Sequence, residues 1–190
     1  MRKVIAAINM TLDGYCDHAV MIADDELHQH YNELIRNAGT IIYGRITYQL
    51  MESYWPTVVK NPTGNKPADE FAILIDDISK IVFSHKLKND NPILTGWKNV
   101  KLANRNIREE VLELRKEAGK DILVGSRSLI VTLLNLHLID EFQICVHPII
   151  NGDGIPLFKN INDRINLKLI KTKTFGNGLI VVLFYEPVKK

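Results

Sequence analysis

Residues 121–134 read DILVGSRSLIVTLL. Ile122, Leu123 and Val124 form an unbroken apolar run, the mark of a strand buried on both faces. Gly125 breaks the run, and from Ser128 onward Leu129, Leu133 and Leu136 recur at helical spacing. A buried strand that turns through glycine into a helix leaves free backbone N–H groups at the carboxyl end of a sheet, which is a natural anion site. One such turn is equally an ordinary strand–helix junction. The reading therefore depends on whether the pattern repeats.

It does repeat. Residues 40–43, TIIY, form a second apolar run that passes into Gly44-Arg45-Ile46-Thr47-Tyr48, and a third strand over 80–83 ends at Ser84-His85. A strand over 4–8 opens the chain and leads into a loop with its turn at Asp13-Gly14. Carboxyl ends of parallel strands share one edge, so the three polar ends are expected to line one crevice. Thr47, Ser126 and Ser128 offer hydrogen bonds to a pyrophosphate, while Arg45, Arg127 and His85 counter phosphate charge. Arginine at a helix N-terminus opposes the helix dipole, a mismatch that a bound anion removes.

The remaining pattern completes an α/β chain. A helix is expected from Asp24 or Asp25 to residue 37, with Gly39 as its stop. A second helix opens at Gly44, residues 56–67 read as a loop, and a helix covers 68–76. Residues 86–97 are turn-rich and carry at most an interrupted strand; Asn106 then caps a helix that Gly119 ends. After Asp140 the grammar changes. Residues 141–150 alternate, residues 151–154 are a turn, and two strands over 166–175 and 179–185 join through Gly176-Asn177-Gly178, a hairpin signal. The expectation is a parallel core with an antiparallel C-terminal extension, forming one domain over residues 1–190.

Composition narrows the function classes. With 24 basic and 22 acidic residues interspersed, the net charge of +2 argues against a nucleic-acid binder. No apolar run reaches transmembrane length and the N-terminus lacks a signal-peptide pattern, so a cytoplasmic protein without membrane contact is expected. Cys16 and Cys145 fit no metal or redox spacing. His28 and His30 point to different helix faces, so no metal site is expected there. Ser126 does not sit in a nucleophile elbow, which disfavours a hydrolase.

Five segments carry a resemblance in the right order: residues 10–15 (MTLDGY), 42–48 (IYGRITY), 123–125 (LVG), 138–141 (LIDE) and 148–158 (PIINGDGIPLF). Together they resemble the dihydrofolate-reductase-like superfamily, in particular the C-terminal reductase domain of the bifunctional riboflavin-biosynthesis deaminase/reductase. The resemblance implies a mostly parallel mixed sheet of about eight strands with helices on both faces, and NADPH as hydride donor. It places Gly44, Arg45 and Thr47 around the nucleotide phosphates, Ser84 and His85 at the 2′-phosphate, Gly125 to Ser128 at the pyrophosphate, and Ala7 near the nicotinamide. Asp13 borders the active site. The acid that folate-reducing members carry on the first helix has no clear counterpart among Asp24, Asp25, Glu26, His28, His30 and Glu33, so the catalytic candidates are Asp13, Asp25 and His30.

The zinc signature of the deaminase half is absent. The expected activity is a stand-alone NADPH-dependent reductase of a small heterocyclic or ribosylamino-pyrimidine or pterin substrate. The alternative is a nucleotide-binding protein without turnover. Ser126 replaces the second glycine of the family's usual pair, and its Cβ is expected to crowd the phosphate. A homodimer would cover the edge left by the C-terminal hairpin.

Overall fold

A computed structural model describes residues 1–16, 21–22, 24–84 and 97–188. The strands are β1 (Val4–Thr11), β2 (Ala38–Gly44), β3 (Ser79–Phe83), β4 (Val100–Leu102), β5 (Asp121–Val124), β6 (Glu141–His147), β7 (Leu167–Phe175) and β8 (Ile180–Pro187). They form one sheet in the order β4-β3-β2-β5-β1-β6-β8-β7. Pairing is parallel from β4 through to β6, whereas β8 runs antiparallel to both β6 and β7. The five helices among the described residues are α1 (Asp25–Arg36), α2 (Arg45–Lys60), α3 (Lys66–Asp77), α4 (Ile107–Lys116) and α5 (Arg127–Asn135).

The central strands β1, β2 and β5 are apolar on both faces because helices cover both. Val4, Ala6, Ile42, Ile122 and Val124 pack with Val111 and Leu114 of α4 and Ile130 and Leu133 of α5. Ile5, Ile41, Tyr43 and Leu123 pack on the other face with Leu34 and Ile35 of α1, Tyr48 of α2 and Phe71 and Ile75 of α3. Alternate residues of each strand thus feed opposite cores, as the period of two requires. The outer strand β7 is exposed along almost its whole length.

Three sequence expectations need correction, and a fourth lies mostly outside the described residues. Gly39 does not stop α1; Asn37 does, and Gly39 lies in β2 at a bulge between Ala38 and Thr40. A Cβ on Gly39 would stand 3.2 Å from the Arg2 guanidinium, which is 6% exposed and donates to the Lys120 carbonyl and, at 2.7 Å, to Thr40 Oγ1. That glycine therefore serves close approach to a buried cation, which no local pattern announces. Residues 56–60 are not loop, since α2 continues through Pro56 to Lys60 with Val58 buried. Burial of Val58 offsets part of the cost of a helical proline, about 3 kcal/mol. The expected interrupted strand over 86–97 falls mostly outside the described residues, and β4 lies later, at Val100–Leu102. Glu117, not Gly119, follows the last turn of α4.

Two charged side chains, one buried and one half-buried, hold the sheet to its helices. Lys80 is fully buried; its ammonium donates to the carbonyls of Asp76, Ile78 and Lys98 and lies 4.7 Å over the Trp97 ring. Desolvation pushes its pKa down to about 8. On the opposite core, Arg115 of α4 meets both oxygens of Asp140 at 2.8 Å, and Asp140 Oδ2 accepts the Val4 N–H. Asp140→Ala strands the Arg115 guanidinium and the first amide of β1. We expect a loss of about 2–3 kcal/mol in urea unfolding, against near-neutral replacement of the exposed Lys168.

Candidate functional site

Helix N-termini expose unpaired N–H groups, and most helices satisfy them with a side chain. In α1, α3 and α4 this is the case: Asp24 accepts from Leu27, Asn65 from Ala68 and Asn106 from Glu109. Each of these helices also carries an acid in its first turn. The two helices that open directly at strand ends break the rule. Gly44 and Ser126, the N-caps of α2 and α5, make no side-chain cap, and neither helix has an acid in its first turn. Arg45 and Arg127 stand at their first positions instead. Both termini are thus bare, electropositive and equipped with an arginine, the reverse of what helix stability favours.

The two termini are neighbours. β2 pairs with β5, and the Gly44 N–H donates to Ser126 Oγ at 2.9 Å across their ends. Ser126 is 1% exposed, so its side chain is turned into this bond rather than into the crevice. Its hydroxyl is thus committed to the neighbouring strand. Space at the edge is tight. A Cβ on Gly44 would stand 3.3 Å from Ser128 Oγ, and one on Gly125 would stand 3.3 Å from the Ala7 carbonyl. Gly125 thus lets β5 close on the backbone of β1, and Gly44 lets β2 close on the first turn of α5, leaving a cradle of the kind that suits a pyrophosphate.

The side chains around the cradle are placed as follows. Arg127 Nε donates to the Pro156 carbonyl at 2.8 Å, tying the loop after β6 to α5, while its Nη2 is buried without a partner among the described residues. Arg45 Nη1 donates to Gln49 one turn along α2. Thr47 is half-buried in the first turn of α2, and Ser128 is exposed on α5. Ser84 follows β3, on the outer side of β2. His85 lies outside the described residues. Close approach at two glycines, a bare helix end and a cation with an open donor position all fit a dinucleotide phosphate.

The three catalytic candidates are not brought together. The Asp13 carboxylate accepts from Thr11 Oγ1 at 2.6 Å and from the N–H groups of Asn151 and Gly152 at 3.0 and 2.7 Å. These bonds, that from Thr11 foremost, hold its pKa below the usual carboxylate value. Asp13 therefore stays ionised and fixes the MTLDGY loop to the turn after β6. Asp25 is exposed at the start of α1 and accepts from Asn65 Nδ2 at 2.7 Å. His30 is buried between Phe175 and Phe184, with ring centroids 5.4 and 5.8 Å away, and burial pushes its pKa down.

Sequence reading missed a different group. Asn9 sits on β1 two residues beyond Ala7, so both point to the α1 face. Asn9 Oδ1 accepts from Tyr31 Oη at 2.9 Å and lies 3.3 Å from Nε2 of the fully buried His147. The one available signal was a polar residue at an inward position of an apolar strand.

Comparison with known proteins agrees with this geometry. Residues 2–181 match the RibD C-terminal domain family, so the chain belongs to that family. It is 35% identical to the uncharacterized protein YyaP of Bacillus subtilis (strain 168), over 97% of this chain and 95% of that one. A pyrimidine reductase-like protein from Corynebacterium diphtheriae superposes with a TM-score of 0.67 at 18% identity, covering 100% of this chain and 93% of that one. Dihydrofolate reductase from Enterococcus faecalis, solved with NADP(H), gives 0.62 at 13% identity over 98% and 97%. These structures share the mostly parallel mixed sheet and the antiparallel C-terminal strands.

Ser126→Ala leaves the buried Gly44 N–H without an acceptor, and we expect a loss of about 1–2 kcal/mol in chemical unfolding; an unchanged midpoint would show that the bond contributes nothing. Burial also holds His147 below the ordinary imidazole pKa. As pH falls through about 6.5, the unfolded chain takes up a proton that the folded chain refuses. Stability is therefore complete above that value and declines below it, and in thermal melts His147→Gln reduces the decline between pH 7 and pH 5.

Proposed function

We propose, from the premise that this chain belongs to the RibD C-terminal domain family, that it is an NADPH-dependent reductase of a small heterocyclic or ribosylamino-pyrimidine or pterin-type substrate, related to riboflavin biosynthesis. The observation that carries the reading is the pair of bare helix N-termini at Gly44 and Ser126. Among the described residues three helices are capped and acid-bearing, and the two that open at the ends of β2 and β5 are not.

In this reading the N–H groups at the start of α5 hold the pyrophosphate, with Arg127 and Ser128 beside them. Arg45 and Thr47 meet the phosphates from α2, and Ser84 lies toward the 2′-phosphate. Ala7 lies beneath the nicotinamide. Bound NADPH supplies the hydride. The protein's contribution is to orient donor and acceptor and to exclude water, because the cofactor carries the chemistry. That division of labour suits a site in which Asp13, Asp25 and His30 are all occupied structurally.

Those same commitments favour a second reading, a nucleotide-binding protein without turnover. The two are separated by following NADPH oxidation with pyrimidine and pterin substrates.

Binding itself is tested by titrating NADPH and recording nicotinamide fluorescence. A saturable change is expected, and Arg45→Ala weakens it roughly tenfold, which corresponds to about 1.4 kcal/mol. Absence of any saturable change at millimolar cofactor would overturn both readings.

A further inference from the structure

The polar chain behind β1 fixes the orientation of one side chain from the backbone outward. The Ile22 N–H donates to His147 Nδ1 at 3.2 Å, so Nδ1 carries a lone pair. A neutral imidazole then bears its proton on Nε2, and that N–H faces Asn9 Oδ1 at 3.3 Å, with Cys145 Sγ 3.5 Å away. The Tyr31 hydroxyl donates to the same oxygen at 2.9 Å. Two donors converge on Asn9 Oδ1, which settles the amide: its oxygen faces inward and its NH2 faces away from the chain of groups.

That NH2 is left over. Among the described residues no acceptor takes Asn9 Nδ2, and Asn9 itself is only half-buried. Ala7 and Tyr31, its neighbours on the same face, are half-buried. Asn9 lies roughly 6.6 Å along the strand from Ala7, a spacing suited to a substrate stacked beside the nicotinamide. No carboxylate of α1 competes for this place. Asp24 caps the helix, Asp25 accepts from Asn65, Glu26 accepts from the Gly176 N–H, and Glu33 is exposed.

We propose that Asn9, locked by Tyr31 and His147, is a specificity-determining residue whose amide NH2 donates to a carbonyl oxygen of the substrate ring. The inference rests on the reductase reading above and narrows its substrate class: the site takes oxo-heterocycles and rejects protonated diamino-heterocycles, which need an acceptor or a carboxylate. A donor facing a donor leaves both unpaired, the asymmetry that makes hydrogen-bond readout discriminating.

The test measures affinity, not turnover, with pteridine-2,4-dione and 2,4-diaminopteridine as probes in the presence of saturating NADP+. The wild-type protein is expected to prefer the dione at least tenfold. Asn9→Ala loses that preference, and Asn9→Asp, which presents an acceptor to the same point, reverses it. Thermal melts confirm that both variants fold, and NADPH titration of each reports on the cofactor site separately. Failure of the wild type to prefer the dione, or an unchanged preference in folded Asn9→Asp, would overturn the assignment. Loss of NADPH binding with the dione preference still following Asn9 would instead sink the cofactor reading and leave this one standing.

Discussion

The bond between the Gly44 N–H and Ser126 Oγ joins the ends of β2 and β5, and the arrangement of the crevice depends on it. Each strand end opens a helix, and each helix begins without a cap. Separately, the two ends would be weak anion sites. One buried hydroxyl holds the two helix N-termini side by side, with Arg45 and Arg127 at their first positions. Ser126 can do this because it spends its hydroxyl on the neighbouring strand rather than on its own helix. The helix end then remains available.

The close approach of backbones at this edge follows from residue size. Gly125 lets β5 come against the Ala7 carbonyl, and Gly44 lets β2 come against Ser128. Side chains there would push the strands apart by tenths of an ångström and fill the cradle. The cost of the open helix ends is offset elsewhere. Arg2 and Arg115 bridge strands and loops at the opposite edge, Lys80 caps the end of α3, and two apolar cores cover the faces of the sheet. Stability is concentrated away from the carboxyl edge, as expected of a site that must hold unsatisfied groups.

The second half of the crevice is organised by a different constraint. His147 is buried where only its neutral form is comfortable, and a backbone amide selects its tautomer. Through that tautomer a peptide group at residue 22 determines which end of the Asn9 amide faces the cleft. Such relays give a side chain one fixed hydrogen-bonding polarity without any charge.

By itself, the sequence determined the parts written in local patterns. Apolar runs ended by glycine marked β2 and β5, helical spacing marked α1 and α4, and Gly176-Asn177-Gly178, all at positive φ, marked the hairpin. The order of the motifs determined the family. Tertiary structure decided whatever depends on contacts distant in sequence. It made the Ser126 hydroxyl a strand clamp and Asp13 a loop anchor, and it buried His30 among aromatic rings. It also carried α2 through Pro56 and drew Asn9, Tyr31 and His147 into one network. Residues 9 and 147 are 138 positions apart, and no periodicity reports a hydrogen bond across that distance; only the parallel pairing of β1 with β6 brings them together.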